Sequence, residues 1–299
     1  MEQYEHMNNY TLSIIVASYN YENYIGMTLQ SLVDQSAKDI EIIVVDDGSK
    51  DSSLEVIKSY CGKYPNVKLF QHENGANKGL AETMKLGIRK SSGEYICFCE
   101  SDDYWDIKHA EKILSFIDKN RNAGFIVNSI KVVDENSRPY GNSMSFYNRY
   151  VENCHRFLKV NNGKNIFRYL TRNHIPTFGA VCLRKELLLQ SNFDSYHPPY
   201  LDLWLWRQVA VRNKVYFVPD AVTYWRKHTG SYSRKNHTNS KFLLAGNDII
   251  LKNIDKDIPL FVRLKLWWHR RKLNIEDRNE RNKFIKYQIR KIRKIYKPE

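Results

Sequence analysis

The sequence predicts an α/β protein with a mostly parallel central sheet, helices on both of its faces, and a helical, basic C-terminal extension. Three observations predict it. Short β-branched runs recur four times in the first half, and each is followed by a stretch of helical pattern. The runs are apolar throughout rather than alternating, as strands covered on both faces must be. Basic residues concentrate near the C-terminus, in a segment with helical spacing.

The elements follow in order. LSIIVA (12–17) reads as a strand and 22–33 as a helix. EIIVVD (41–46) leads into DDGSKDSSLEVIKSY, where Ser49 to Ser53 offers several N-cap residues for a helix running to about residue 64. VKLFQ (67–71) precedes a helix over 78–90, and EYICFC (94–99) precedes one over 106–120. The second half is less regular. FIVNSIKVV (125–133) and FGAVCLR (178–184) read as strands, while 136–162 is polar and aromatic with weak periodicity. YLDLWLWRQVAVRN (200–213) is helical in propensity and apolar nearly all round, so it should be largely buried. VYFVP (215–219) is a short strand that ends at proline. From residue 259 the chain is helical, aromatic at first and then strongly basic, and no internal repeat or long low-complexity linker interrupts it.

Composition narrows the class. The 299 residues are 42% hydrophobic and 13% aromatic, which is globular rather than disordered. The first residues, MEQYEHMNNY, are polar where a signal peptide would be basic and then apolar. No run approaches the ~18 apolar residues that span a bilayer. Five cysteines (61, 97, 99, 154 and 182) form no C-x-x-C pair. Cys97 and Cys99 share one face of a strand and read as small core residues, consistent with a reducing, cytoplasmic setting. The net charge of +14 is local: 263–297 holds fourteen Lys and Arg against three acids, leaving +3 for the rest.

In sheets of this kind ligands bind beyond the carboxyl ends of the strands, and the chemistry-bearing residues fall there. Glu100-Ser101-Asp102-Asp103 follows EYICFC directly. Three carboxylates within four residues repel one another unless a cation or solvent relieves them. Mn2+ and Mg2+ favour carboxylate oxygens and can bridge them to a diphosphate. The plainer reading is a solvated turn with helix-capping acids at Asp103 and Asp106. Asp46-Asp47-Gly48-Ser49 again joins a strand to a helix; its carboxylates can accept from a ribose hydroxyl or a base N–H, or simply cap. Gly48 permits a tight turn. Ala17-Ser18-Tyr19-Asn20 closes the first strand with a ring that can stack on a nucleobase.

SIIVASYN, EIIVVDDGSKDSS, NKGLAETMKLGI and SSGEYICFCESDDYW occur in an order that resembles the inverting family 2 glycosyltransferases with the GT-A fold. The resemblance is to the bacterial polysaccharide and glycolipid type; it covers about 11–110 closely and 174–233 more loosely. It implies a GT-A domain over 1–258, with a nucleotide-binding half over about 11–120, an acceptor half over about 121–235, and a tail over 259–299. It further implies that Ala17, Ser18, Tyr19, Asn20, Asp46, Asp47 and Lys78 contact the donor. Glu100, Ser101 and Asp102 stand where the family has its Asp-x-Asp element, with Glu in the first place, and would meet ribose and metal-bound diphosphate. The family's Arg-Asn before Leu-Gly is replaced here by Met84-Lys85.

LDLWLWRQVA (201–210) is similar to the segment in which an Asp opens a Trp-rich helix, which nominates Asp202 as general base; an alternative alignment puts Tyr200 there. An acid among Leu201, Leu203, Trp204, Leu205 and Trp206 would sit in an apolar wall that raises its basicity, and N-capping is its plainer role. Tyr224-Trp225-Arg226-Lys227-His228-Thr229-Gly230-Ser231 resembles the family's Tyr-Arg-x-His-x-Gly-Ser element. His228, with Asp102 and Asp103, would complete the Mn2+ or Mg2+ site, while Arg226 or the adjacent lysine would offset leaving-group charge.

The implied activity is hexosyl transfer from a nucleotide-sugar, with uridine favoured because the family mostly uses it, to a glycan or lipid-linked acceptor. A sugar-nucleotide-binding protein that has lost catalysis is the alternative. In the tail, Ile285, Ile289, Ile292 and Tyr296 recur at helical spacing among Lys and Arg. That pattern fits a peripheral contact with the inner face of an anionic membrane, or a helix packed on its own domain. Nucleic acid ranks last as a partner because no base-reading motif accompanies the charge. No G-x-G-x-x-G, G-x-x-x-x-G-K-[ST] or H-E-x-x-H occurs.

Overall fold

A computed structural model describes residues 10–142, 145–166, 174–175, 177–191, 193, 201–210 and 212–231. The basic segment 259–299 and Tyr200 lie outside the described residues.

Strands β1 (Leu12–Ser18), β2 (Ile40–Asp46), β3 (Val67–Gln71) and β4 (Tyr95–Phe98) alternate with helices α1 (Ile25–Val33), α2 (Ser53–Lys63) and α3 (Leu80–Lys90). Next come β5 (Tyr104–Trp105), α4 (His109–Lys119), β6 (Phe125–Asp134) and α5 (Phe146–Val160). The described chain ends with β7 (Val181–Arg184), α6 (Lys185–Leu189), α7 (Leu201–Ala210) and β8 (Val215–Lys227). The strands form one sheet in the order β3-β2-β1-β4-β7-β6-β8-β5.

The first four strands are mutually parallel, as the repeated alternation predicts. Side chains of β1, β2 and β4 are buried on both faces, whereas the edge strand β3 buries only Val67. Leu12, Ile14 and Val16 of β1 join Ile25, Leu29 and Leu32 of α1 in one core. On the opposite face a Cβ at Gly87 of α3 would stand 2.7 Å from Ile15 Cγ2, so glycine there lets the helix lie against the sheet. Each buried Leu or Ile contributes roughly 1.5–3 kcal/mol relative to exposure.

Beyond β4 the sheet departs from the parallel expectation: β7 runs antiparallel to both β4 and β6, and β5 runs antiparallel to β8. The expected strand 178–184 begins with a 3-10 turn over Phe178–Ala180 and is regular only from Val181. β8 does not stop at Pro219. It pairs with β6 on either side of a register shift, Asn128 with Val218 and then Ser129 with Val222, so Pro219 to Ala221 have no partner on β6. Proline lacks a ladder donor, and this bulge is where a strand tolerates one. Helices α1, α3 and α4 begin two to three residues later than the pattern suggests, because polar residues that fit a helix are used in the preceding loops.

Helix α5 lies within the stretch of weak periodicity, which hid it. Ser145 caps it, its Oγ accepting from Asn148 N at 3.3 Å, and it buries Val151, Cys154 and Leu158 at helical spacing. Among the described residues no helix is long and apolar enough to cross a membrane.

His109 anchors α4 to the sheet. Its ring stacks on Trp105 at 3.8 Å, and Nδ1 lies 3.1 Å from the Val222 carbonyl, to which it can donate. Nε2 is buried without a partner, and burial pushes the imidazole down to about 4 from an ordinary 6.5. Between those values the unfolded chain binds the proton that the folded chain refuses. Stability contributed by the neutral ring is therefore complete above pH 6.5 and is lost as pH falls towards 4, by up to roughly 3 kcal/mol. Urea melts at pH 4.5, 5.5 and 7 should show this loss, and His109→Phe should flatten it. An unchanged slope in that variant would place the acid sensitivity elsewhere.

Candidate functional site

Parallel register gathers the loops. Ser18 stands opposite Asp46 and Asp46 opposite Gln71, so the segments that follow β1, β2 and β3 leave the sheet together. The first two interlock. Asn20 N donates to Ser49 Oγ at 3.0 Å and Lys50 N donates to Asn20 Oδ1 at 2.7 Å. Tyr21 N donates to Ser53 Oγ at 2.8 Å, and Ser52 N to Glu22 Oε2 at 2.8 Å. Gly48 has φ +78°, and a Cβ there would meet the Gly75 carbonyl at 2.4 Å, so the glycine in this loop is required twice over.

This interlocking assigns the expected donor residues to two groups. Asp46 is buried and accepts from Ser49 N at 3.1 Å and Gln71 Nε2 at 3.3 Å. Asp47 is buried and accepts from Lys78 N at 2.7 Å and Gly79 N at 2.9 Å, with His72 Nε2 at 3.5 Å. Both carboxylates, expected on the nucleoside, are engaged in holding the loops. Ser18 is buried, and its carbonyl accepts from Asp47 N at 2.8 Å. Asn20 has φ +58° and its side-chain oxygen is taken by Lys50. Tyr19, 44% exposed, and Lys78, also exposed, extend outward from the same surface.

The acidic segment after β4 is set into this edge. Ser101 Oγ donates to the Ala17 carbonyl, and the Thr28 hydroxyl lies 2.9 and 2.7 Å from the carbonyls of Ser101 and Asp103. Because β7 is antiparallel to β4, the residues just before β7 arrive at the carboxyl end of β4. There Thr177 Oγ1 and Gly179 N, the latter at 2.9 Å, donate to the partly buried Glu100 carboxylate. Glu100 therefore faces inward. Burial raises its pKa first, and the Asp102 charge raises it further.

Asp103, expected among the metal ligands, is also turned inward. Its Oδ1 accepts from Arg226 N at 2.8 Å, and its buried Oδ2 meets no donor. Burial and the charges on Glu100 and Asp102 hold this carboxyl well above the usual range. That leaves Asp102, its side chain 14% exposed, as the member facing outward. Its Oδ2 lies 2.9 Å from His228 Nε2. Tyr24 packs against the imidazole at 4.5 Å and Tyr21 meets it edge-on at 6.3 Å.

Arg226 does not reach outward as expected. It is 2% exposed: Nε donates to the Asp102 carbonyl at 2.8 Å, Nη1 to the Glu135 carbonyl at 2.8 Å and to Ser137 Oγ at 2.9 Å. The Tyr24 and Tyr104 rings each stand 5.3 Å from the guanidinium carbon. The neighbouring Lys227 takes the other face of β8, over the rings of Tyr147 and Trp225. Burial pulls its ammonium down to about 8, while the charges of Asp103, Asp102 and Glu100 pull it back up.

Asp202 sits in the first turn of α7, half-buried between the buried Leu201 and Leu203, with Oδ1 accepting from Leu203 N at 2.7 Å. One turn on, Trp206 packs edge-on against Phe178 at 5.2 Å, and Phe178 against Phe98 at 5.5 Å. This aromatic path joins α7 to the end of β4. The sequence gives no sign of Thr177, Gly179 or Tyr24, because each acts through contacts between elements distant in the chain.

Arg226→Lys should destabilise the chain by about 2–4 kcal/mol in urea melts, because it strips donors from buried carbonyls. A loss below about 0.5 kcal/mol would show that the guanidinium is not a buried clamp.

Comparison with known proteins adds to this geometry. Residues 13–189 match the model of Glycosyl transferase family 2. An uncharacterized glycosyltransferase of Haemophilus influenzae is 40% identical over 114 residues, 38% of this chain and 45% of the relative. Against three curated relatives the aligned region spans 26% to 45% of their lengths. The crystal structure of S. aureus TarS 1–349 in complex with UDP-GlcNAc shares the fold, with a TM-score of 0.62 at 23% identity over 87% of this chain and 71% of that one. A mannosyltransferase from Pyrobaculum calidifontis in complex with GDP-Man and Mn2+ also scores 0.62, at 16% identity over 89% and 70% of the two chains.

Proposed function

Because the chain belongs to glycosyl transferase family 2, we propose that it transfers a sugar from a nucleotide-sugar, UDP-linked in the first instance, to a glycan or lipid-linked acceptor with inversion at the anomeric carbon. The observation that carries this reading is the Asp102–His228 pair at the carboxyl edge of the sheet, beside the interlocked loops. A structural neighbour solved with UDP-GlcNAc supports the choice of nucleotide.

Asp102 and His228 fit a divalent ion. A carboxylate oxygen and an imidazole nitrogen 2.9 Å apart stand at the spacing of adjacent ligands with bonds of about 2.1 Å. Among the described residues no third protein ligand joins them. These two residues would hold Mn2+ or Mg2+, which when bound supplies positive charge to the departing nucleoside diphosphate. A relative in fold was solved with Mn2+.

The chain's own groups do the rest. Tyr19 offers an exposed ring for the base and Lys78 an exposed ammonium at the same edge. Lys227, held in a desolvated setting beside the acids, stabilises charge that develops on the leaving group, the kind of preorganised electrostatic effect that dominates many transfers. Asp202 takes the proton from the acceptor hydroxyl as that oxygen attacks the anomeric carbon. The basic segment 259–299 would bring the enzyme to an anionic membrane surface, a role that rests on its sequence alone.

Calorimetry with UDP, GDP, TDP and CDP, each with Mn2+, Mg2+ or EDTA, tests the donor site. One nucleotide should bind in a metal-dependent manner, and Asp102→Ala should abolish that binding. Failure of all four with both metals would overturn the reading. Release of nucleotide from the matching sugar donor should fall about 10²–10⁴-fold in Asp202→Asn while nucleotide affinity is kept. Activity that survives this substitution would move the base elsewhere.

A further inference from the structure

The imidazole of His228 is only 4% exposed, against 14% for the side chain of Asp102. Four groups bound it. Asp102 Oδ2 stands 2.9 Å from Nε2. Tyr24 packs against the ring at a tilt of 43° with centroids 4.5 Å apart, and Tyr21 meets it at 81° from 6.3 Å. At Gly230 a Cβ would lie 3.3 Å from Nδ1 and 3.5 Å from Cε1, so the backbone of the following turn closes on that edge of the ring.

This cradle is fixed by bonds that do not involve His228. Tyr21 N donates to Ser53 Oγ at 2.8 Å, and the Tyr21 carbonyl accepts from Tyr24 N and Ile25 N, each at 2.9 Å. One turn on, the Thr28 hydroxyl lies 2.9 and 2.7 Å from the carbonyls of Ser101 and Asp103. The helix beside Tyr24 is thereby fastened to the segment that carries Asp102. The Arg226 guanidinium carbon stands 5.3 Å from the Tyr24 ring centroid, and its Nε holds the Asp102 carbonyl at 2.8 Å. Tyr24 therefore touches the ring of one candidate ligand and the clamp on the backbone of the other.

Holding the ring matters when an ion arrives. An ion entering between Nε2 and Oδ2 displaces the proton that their hydrogen bond shares, and that bond is lost. An imidazole held by it alone could then turn, and the need to order it again would weaken binding. An imidazole held from its face and edges keeps Nε2 directed at Asp102.

We propose that Tyr24 is a positioning residue whose ring holds His228 against Asp102 and so sets the affinity of the site for a divalent ion. This rests on the reading of Asp102 and His228 as the residues that hold Mn2+ or Mg2+. A tyrosine that only fills the core is the competing role, and it would change stability without changing ion affinity.

The test titrates the full chain with Mn2+, alone and with UDP, and reads free ion by electron paramagnetic resonance, with melting temperature in the absence of metal as the check on folding. Tyr24→Leu should weaken Mn2+ binding about 10–100-fold, the usual cost of removing a group that orients a ligand. Tyr24→Phe keeps the ring and should bind as the parent does. Gly230→Ala provides a second variant at an exposed position outside the left-handed region. Its methyl presses on the Nδ1 edge and should also weaken Mn2+ binding. Tyr24→Leu that folds yet binds Mn2+ within about twofold of the parent would overturn the proposal. So would Tyr24→Phe that loses as much as Tyr24→Leu. If Tyr24→Leu does not fold, Gly230→Ala decides, and an unchanged affinity there overturns it. When the parent binds Mn2+ and UDP but the variants match it, only the positioning role fails. When the parent binds no Mn2+ even with UDP, the metal reading fails first and this one with it.

Discussion

Crowding three carboxylates into four residues is the constraint around which the carboxyl edge of this sheet is built. Asp103 is buried and Glu100 faces inward beside it, and an isolated charge out of water would cost several kcal/mol. The chain offsets this from three directions. Thr177 and Gly179 donate to Glu100, and the Arg226 backbone donates to Asp103. The Arg226 guanidinium closes the far side by holding the Asp102 carbonyl. Asp102 is then fixed as the outward member, because its neighbours on either side are anchored.

The sheet topology follows from the same need. Thr177 and Gly179 reach Glu100 only because β7 runs antiparallel to β4, which sets the start of one strand beside the end of the other. Arg226 and His228 reach the acids because β8 runs past Pro219 to Lys227, parallel to β6. The bulge after Val218 absorbs the proline and lets the second half of the strand stay in register. A parallel β7 or a strand that ended at the proline would have delivered neither set of partners.

Clustering of charge also changes what single residues are free to do. Aspartates and arginines that look available in a motif become parts of the frame once buried, as Asp46, Asp47 and Arg226 show. Residues that remain available are partly exposed or held by weaker contacts: Tyr19, Lys78, Asp102 and Phe146. The aromatic path from Trp206 through Phe178 to Phe98 links α7 to β4.

The sequence by itself determined the alternation of β1 to α4, the parallel pairing of the first four strands and the placing of Glu100 to Asp103 at a strand's end. Those features depend on hydrophobic period and strand–helix order, which are local properties of the chain. Helix α5, the antiparallel course of β7 and the full length of β8 were not legible. Weak periodicity hid the first, strand direction is not encoded in a strand's own residues, and a proline read locally as a stop. Only the tertiary structure decided which of the four acids and bases in Glu100, Asp102, Asp103 and Arg226 faces outward, because orientation and desolvation arise from partners 75 to 126 residues away.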